Sequence, residues 1–449
     1  MSSARAFPQL GALRPDFTWG ASTSSYQIEG GAEADGKGPS IWDNYCKIPG
    51  RITNGDTGAV ACDHYHRWAE DVALMRAMNL QAYRFSVSWP RVMPEGRGRI
   101  NPAGLDFYDR LIDAQLEAGI EPWLCLYHWD LPQALADRGG WINRDIAGWF
   151  ADYAAVIAKR YGDRVKRLAT FNEPNVFSLF GYLFSWQAPG LRDLSAYMQA
   201  MHHVNLSHGA AVDVLRNLVP QASIGCIYNR QPCHGLSGSA ADATAAAMLD
   251  ACWNGAFPDP QLRGHYPEPL LLHIEPYVKP GDMAAICRAA DWFGVNHYSP
   301  IFARAEPSAP LGFAWADAPP DLERTNIGWQ VKPEAFRDTL LDIHARYHLP
   351  IYVMENGCGA EEKPDADGAV NDPDRIDFLA DYIAALHDAV QRGADVRGYF
   401  VWSLLDNFEW GSGFWQRFGI VYVDYATLQR IPKASSQWYG ALIRQFSGK

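Results

Sequence analysis

Eight short apolar segments alternate along this 449-residue chain with stretches of helical periodicity, and that alternation restricts the fold more than any other feature. The segments run from Thr18 to Ser22, Ala82 to Ser88, Glu121 to Tyr127, Arg167 to Asn172, Ala222 to Tyr228, Trp292 to Asn296, Ile351 to Glu355 and Gly398 to Leu404. Between them, Phe150, Tyr153, Ala154, Ile157 and Tyr161 recur at the spacing of one helix face, and Gly162 stops the run. Ile376, Leu379, Ile383, Leu386 and Val390 share another face, with Gly393 placed as a C-terminal cap. Strands separated by helices pair in parallel, and eight of them close most economically into a barrel. The expected fold is therefore α/β, a single (β/α)8 TIM barrel with loop insertions spanning residues 1–449, with 1–15 as a flexible lead. A doubly wound sheet is the rival, but its phosphate-binding fingerprint is missing. Gly36-Lys37-Gly38 and Gly96-Arg97-Gly98 are fragments without a third glycine opening a helix.

Charge and composition remove several function classes. The net charge of −12 disfavours nucleic acid as a partner. Cysteines at 46, 62, 125, 226, 233, 252, 287 and 358 are widely spaced and form no CxxC, so neither a disulfide nor a zinc framework is expected. Met1 to Asp16 lacks the apolar region of a secretory signal, and no run reaches about 18 apolar residues. The expectation is a cytoplasmic protein with no membrane partner. Cys62-Asp63-His64-Tyr65-His66 lacks a third metal ligand at usual spacing, and His202, His203 and His208 do not form the zinc pair of a helix, so no metal is expected. No GxSxG or P-loop is present. The 17 Trp, 21 Tyr and 20 Phe suit either a large core or a site for sugar rings.

In a parallel barrel the active site forms where strands end, so the polar residues just beyond each strand are the first suspects. They are Gln27 and Glu29 after the first, Arg84 and Ser88 around the second, and His128, Trp129 and Asp130 after the third. The fourth ends in Asn172-Glu173-Pro174, the sixth in Asn296-His297-Tyr298, the seventh in Glu355-Asn356-Gly357, and the eighth leads through Trp402 to Asp406, Asn407, Glu409 and Trp410. Carboxylates, amides and tryptophans on one rim are the chemistry of a sugar pocket. Glu173 and Glu355, each ending a strand beside an Asn, form the expected catalytic pair.

Thr170-Phe171-Asn172-Glu173-Pro174 and Glu355-Asn356-Gly357 resemble the two carboxylate motifs of glycoside hydrolase family one, the β-glucosidase family. The likeness covers nearly the whole chain: FTWGASTSSYQIEG at 17–30, DGKGPSIWD at 35–43, RFSVSWPRVMPEG at 84–96, HWDL at 128–131, NHY at 296–298, 402–410, and RFGIVYVD at 417–424. The resemblance implies a retaining β-D-glucosidase that needs no cofactor. Glu355 would be nucleophile and Glu173 acid/base, with carboxyls about 5 to 5.5 Å apart. Arg84 and Tyr298 would favour ionised Glu355. The resemblance also assigns Gln27, His128, Asn172, Asn296, Glu409 and Trp410 to the sugar hydroxyls, with Trp129 in the same substrate set. Trp402 would be the stacking floor, Phe418 the border of the 6-position and Trp329 the aglycone platform.

Members acting on 6-phosphorylated sugars use a Ser and a Lys where this chain has Glu409 and Gln416, so unphosphorylated sugars are expected. Met354 replaces a usual Thr before the nucleophile, with an effect expected on packing, and Gln330-Val331-Lys332 leaves the aglycone open. The expected substrates are β-glucosides or cello-oligosaccharides, with galactosides and fucosides also accepted. Transglycosylation by the same pair and a non-catalytic sugar-binding barrel are the alternatives. The sequence leaves a homo-oligomer open.

Overall fold

The computed structural model describes residues 5–11, 13–320 and 322–447. Eight parallel strands close a barrel: β1 Thr18–Ser22, β2 Ala82–Ser86, β3 Glu121–Tyr127, β4 Arg167–Asn172, β5 Ser223–Asn229, β6 Trp292–Asn296, β7 Ile351–Asn356 and β8 Val396–Trp402. Closure is made by β1, which pairs with β2 through Gly20 and Ala82 and with β8 through Thr18 and Gly398. All eight expected strands are present. Their ends differ by up to two residues, most at β8, where the chain leaves the ladder after Trp402 because the Ser403 amide bonds the Phe418 carbonyl.

The barrel interior explains part of the aromatic content. Trp123, Trp292, Tyr352 and Phe400 pack with Cys125, Ile227 and Met354 inside the staves. Trp123 touches the other three rings at centroid distances of 4.7 to 5.4 Å. This plug closes the barrel beneath the rim. Met354 is part of it, so the residue before Glu355 packs downward rather than into the site.

The helix Ile146–Tyr161 buries the expected stripe of Phe150, Tyr153, Ala154, Ile157 and Tyr161, and ends at Gly162. Pro373–Gln391 buries Leu379, Ile383 and Leu386 in the same way, while Ile376 and Val390 are half-buried beside them. Each large apolar side chain so buried contributes about 1.5–3 kcal/mol. Two insertions rise above the barrel: a three-stranded sheet of Cys233–Gly235, Ile301–Ala305 and Phe313–Ala316, and a hairpin of Val421–Val423 with Arg430–Pro432.

Part of the lead expected to be flexible lies against the body instead. Leu10 is buried, Phe7 meets Trp438 at 5.6 Å, and the Trp438 indole donates to the Arg5 carbonyl. Apolar residues in a short lead gain more from covering Trp438 than from solvent. Residues 1–4 and 12 lie outside the described residues. No helix among the described residues is long and apolar enough to cross a membrane.

Candidate active site

The strands end in a cavity of about 560 Å³, within the usual range for a small-molecule site. Glu173, Glu355, Glu409, His128, Trp129, Tyr298, Trp329, Trp402, Trp410 and Phe418 front it, all expected from the sequence. Seven of the 17 tryptophans line this one cavity, so core packing accounts for only part of the tryptophan count. Arg84, Asn172, Asn296 and Gln27 stand just behind, bonded to the groups that front it.

Three rim residues adopt left-handed backbone: Trp129 at φ +79°, Glu173 at +48° and Trp410 at +47°. Each such conformation costs a non-glycine residue of order 1–3 kcal/mol and persists where surrounding structure imposes it. For Glu173, Pro174 opens the following helix and the Glu173 amide bonds the Ile227 carbonyl of β5, which fixes the turn. At β7 the glycine of Glu355-Asn356-Gly357 is required, because a Cβ there would lie 1.9 Å from the Trp402 carbonyl oxygen.

The two central carboxyls have different surroundings. Glu355 accepts at both oxygens, from Arg84 Nη1 at 2.5 Å and from the Tyr298 hydroxyl at 2.6 Å. Glu173 accepts twice at Oε1, from Asn229 Nδ2 at 2.7 Å and Asn296 Nδ2 at 2.9 Å, with no cation in contact. Among the described residues no donor reaches its Oε2. A path of hydrogen bonds joins them: Arg84 Nη2 and Asn296 Nδ2 both donate to Asn172 Oδ1, at 2.6 and 3.0 Å.

Burial pushes Glu173 up to about 8, and the charge of Glu355 adds to it, against weaker pulls from Asn296, Asn229 and Arg84. Burial also raises Glu355, more than the Arg84 charge and the bonds from Tyr298 and Arg84 offset. Those partners were expected to favour its ionised form, and they do so against desolvation. Two carboxyls this coupled share one charge. The charge belongs on Glu355, which touches the guanidinium. The proton belongs on Glu173 at Oε2, because Oε1 is committed as an acceptor.

Glu409 is a third buried carboxyl, pushed up to about 8 by burial and then by Glu355 and Glu173. Its burial beside two other carboxyls favours the neutral form. Its Gln27 contact, 3.4 Å, is long, since Gln27 Nε2 also donates at 2.9 Å to Asn407 Oδ1 and the Phe408 carbonyl. Gln416 is fully buried and neither amide atom has a partner. His128 is kept neutral by burial and the Arg84 charge, and stacks between Trp402 at 6.0 Å and Trp410 at 5.9 Å.

Other polar rim residues serve the scaffold. Glu29 accepts from Arg91 at 2.9 Å and Tyr108 at 2.5 Å, while Asp406 pairs with Arg417 at 2.7 Å and Lys433 at 2.8 Å. Asp130 accepts from Ser25 at 3.0 Å, and burial lifts it to about 7. His64 bonds Asp71 and His202 bonds Asp282, and among the described residues no group of three His, Cys, Asp or Glu is placed to hold a metal. Gln330 and Lys332 do not line the cavity, and their backbone amides bond the Ser299 Oγ and the Tyr382 hydroxyl. Sequence reasoning missed Asn229, although it ends β5 just as Asn172 and Asn296 end β4 and β6. Reading the apolar run one residue too early hid it. It also missed Phe180, Trp186, Trp253 and Trp315, which line the cavity from insertions between the barrel elements.

The model of glycosyl hydrolase family 1 matches residues 9–447. Beta-glucosidase A of Thermotoga maritima is 44% identical over 433 residues, covering 95% of this chain and 97% of that protein. A bifunctional beta-D-glucosidase/beta-D-fucosidase of Bifidobacterium breve is 39% identical, covering 96% and 98%. The solved family 1 b-glucosidase from Thermotoga maritima superposes with a TM-score of 0.92 at 43% identity, covering 97% and 98%. With the barrel, the paired carboxyls and this coverage together, the chain belongs to glycosyl hydrolase family 1.

Proposed function

We propose that this chain is a retaining β-D-glucosidase that hydrolyses terminal non-reducing β-D-glucosyl residues and also accepts galactosides and fucosides. The asymmetry of the two carboxyls carries the reading. Glu355, ionised beside Arg84, attacks the anomeric carbon while the proton on Glu173 Oε2 passes to the departing glycosidic oxygen. Esterification removes the negative charge that helped raise Glu173. The newly ionised Glu173 then takes a proton from water, whose oxygen attacks the anomeric carbon and frees Glu355. Glu409, His128, Asn172, Asn296, Gln27 and Trp410 hold the hydroxyls, over Trp402. Residues 1–449 act as one catalytic domain on β-glucosides or cello-oligosaccharides. The eight unpaired cysteines support a reducing, cytoplasmic setting, which cell fractionation checks.

A panel of p-nitrophenyl β-glucoside, β-galactoside, β-fucoside and 6-phospho-β-glucoside tests the glycone. Turnover of the first three is expected, with kcat/KM for the phosphorylated sugar lower by at least about 100-fold. Arg324 is the cationic residue among those lining the cavity, and it is spent on the Ala318 and Pro319 carbonyls. Comparable rates on both glucosides would reject this reading of Glu409 and Gln416.

Asn229 is expected to tune the acid. It donates to Glu173 Oε1, which favours the anion, so Asn229→Ala raises the Glu173 pKa further. The alkaline limb of kcat/KM, set by loss of that proton in free enzyme, moves upward by roughly 0.5 to 1 pH unit. A limb that stays in place or moves down counts against the hydrogen bond.

A further inference from the structure

Three consecutive residues at the end of β5, Asn229, Arg230 and Gln231, are each clipped to one segment of the insertion that follows. That segment, Ala251–Gly255, forms a helical turn wider than an α-helical one, a form that collects at functional sites. Arg230 Nη1 donates to the Asn254 carbonyl at 2.7 Å. The Gln231 amide donates to Asn254 Oδ1 at 3.2 Å, and the Gln231 carbonyl accepts from Asn254 Nδ2 at 2.7 Å. The remaining bond comes from Trp253, whose indole Nε1 donates to Asn229 Oδ1 at 3.1 Å. The indole is itself held in place: it is buried, with centroids 5.5 Å from Phe180 and 5.4 Å from Trp315.

The Trp253 bond decides what Asn229 does on its other side. An indole nitrogen is a donor only, so the Asn229 atom it meets must be the carbonyl oxygen. The amide nitrogen is thereby turned to Glu173, where Nδ2 donates to Oε1 at 2.7 Å. Reversed, Asn229 would set its oxygen against the carboxyl, and only a protonated Glu173 could bond it. The backbone gives this side chain a fixed origin, since the Asn229 carbonyl accepts from Asn175 Nδ2 at 2.9 Å.

Resting on the β-glucosidase reading above, we propose that Trp253 is a positioning residue for the acid/base. Acting through Asn229, its indole N–H fixes the amide orientation that keeps Glu173 Oε1 an acceptor and leaves Oε2 to carry the transferable proton. Trp253 also fronts the cavity, but this role depends on its N–H and not on its ring.

The test is the pH profile of kcat/KM for phenyl β-D-glucoside, which releases a phenol about as weakly acidic as a tyrosine side chain and so draws on the acid. Trp253→Phe keeps a ring against Phe180 and Trp315 and removes the N–H. Without that donor the Asn229 amide holds the Glu173 anion less well, so the alkaline limb is expected to move upward by roughly 0.3 to 0.6 pH unit. Glu355, Arg84, Glu409 and Tyr298 are the titratable groups that face Glu173, and all four stay in place. In an Asn229→Ala background the same substitution should move the limb no further, because its effect passes through that amide. Placing 3-benzothienylalanine at position 253, with sulfur where the indole has its N–H, keeps the full shape and should shift the limb as Trp253→Phe does. A limb that neither replacement moves, or a shift of the same size with the Asn229 amide absent, overturns the proposal. If the unaltered protein leaves phenyl and p-nitrophenyl β-D-glucoside untouched, it is the β-glucosidase reading that has failed.

Discussion

Glu355→Ala is expected to lower glucoside hydrolysis by at least about 10⁴-fold, with azide restoring turnover and giving α-glucosyl azide. The substitution empties the space beside the anomeric carbon and leaves Arg84 Nη1 and the Tyr298 hydroxyl without the acceptor they share. That space is cationic, buried and lined by donors, which suits a small anion. Azide attacks the anomeric carbon once, from the side Glu355 occupied, while Glu173 still protonates the departing oxygen. One displacement inverts where two retain, so the anomeric coupling constant of the azide product distinguishes the mechanisms. Arg84 loses its carboxylate partner while fully buried, a change that typically costs about 3–5 kcal/mol. A lower melting temperature should therefore accompany the loss, and circular dichroism must show the fold intact. Activity within tenfold of the unaltered protein, or azide that gives β-glucosyl product, would remove Glu355 from the nucleophile role.

The barrel was legible because its signals are local. Each strand is a short apolar run, each helix has a periodic face, and all eight strand positions lie within two residues of expectation. Glu173 and Glu355 were legible for the same reason: each ends a strand, and strand ends converge by topology alone. What sequence could not supply was which polar rim residues face inward. Glu29 and Gln27 lie two residues apart, yet Glu29 is consumed by Arg91 and Tyr108 while Gln27 reaches toward Glu409. That choice is decided by partners 62 to 382 residues away. The protonation pattern was hidden likewise. Arg84 and Tyr298 suggested an easily ionised Glu355, but burial of the whole site raises all three carboxyls, and only the contacts decide which one holds the charge. Phe180, Trp186, Trp253 and Trp315 lie in insertions outside the barrel's strand–helix alternation, so nothing in the spacing tied Trp186 to Trp315.

Glu173→Gln is expected to separate substrates by leaving group. Glutamine keeps the shape and keeps Oε1 as acceptor for Asn229 and Asn296, so positioning survives while the transferable proton on the second oxygen is lost. Cellobiose, whose departing oxygen is a poor leaving group, should lose about 10²–10⁴-fold in kcat/KM, the usual contribution of a general acid. Activated aryl glucosides, such as 2,4-dinitrophenyl β-glucoside, leave without protonation and should lose less than about tenfold in the same parameter. Their kcat should nevertheless fall, because the second step also needs Glu173, now as base. Glycosyl-enzyme then accumulates and the phenol appears as a burst equal to the enzyme concentration. The pH profile gives an independent reading: the alkaline limb of kcat/KM, placed near the Glu173 value of about 8 in the unaltered protein, should vanish for the activated substrate. Equal losses on cellobiose and the dinitrophenyl glucoside, with the limb retained, would show that another group carries the proton. Glu409, the other carboxyl raised to about 8, would then be the group to replace next.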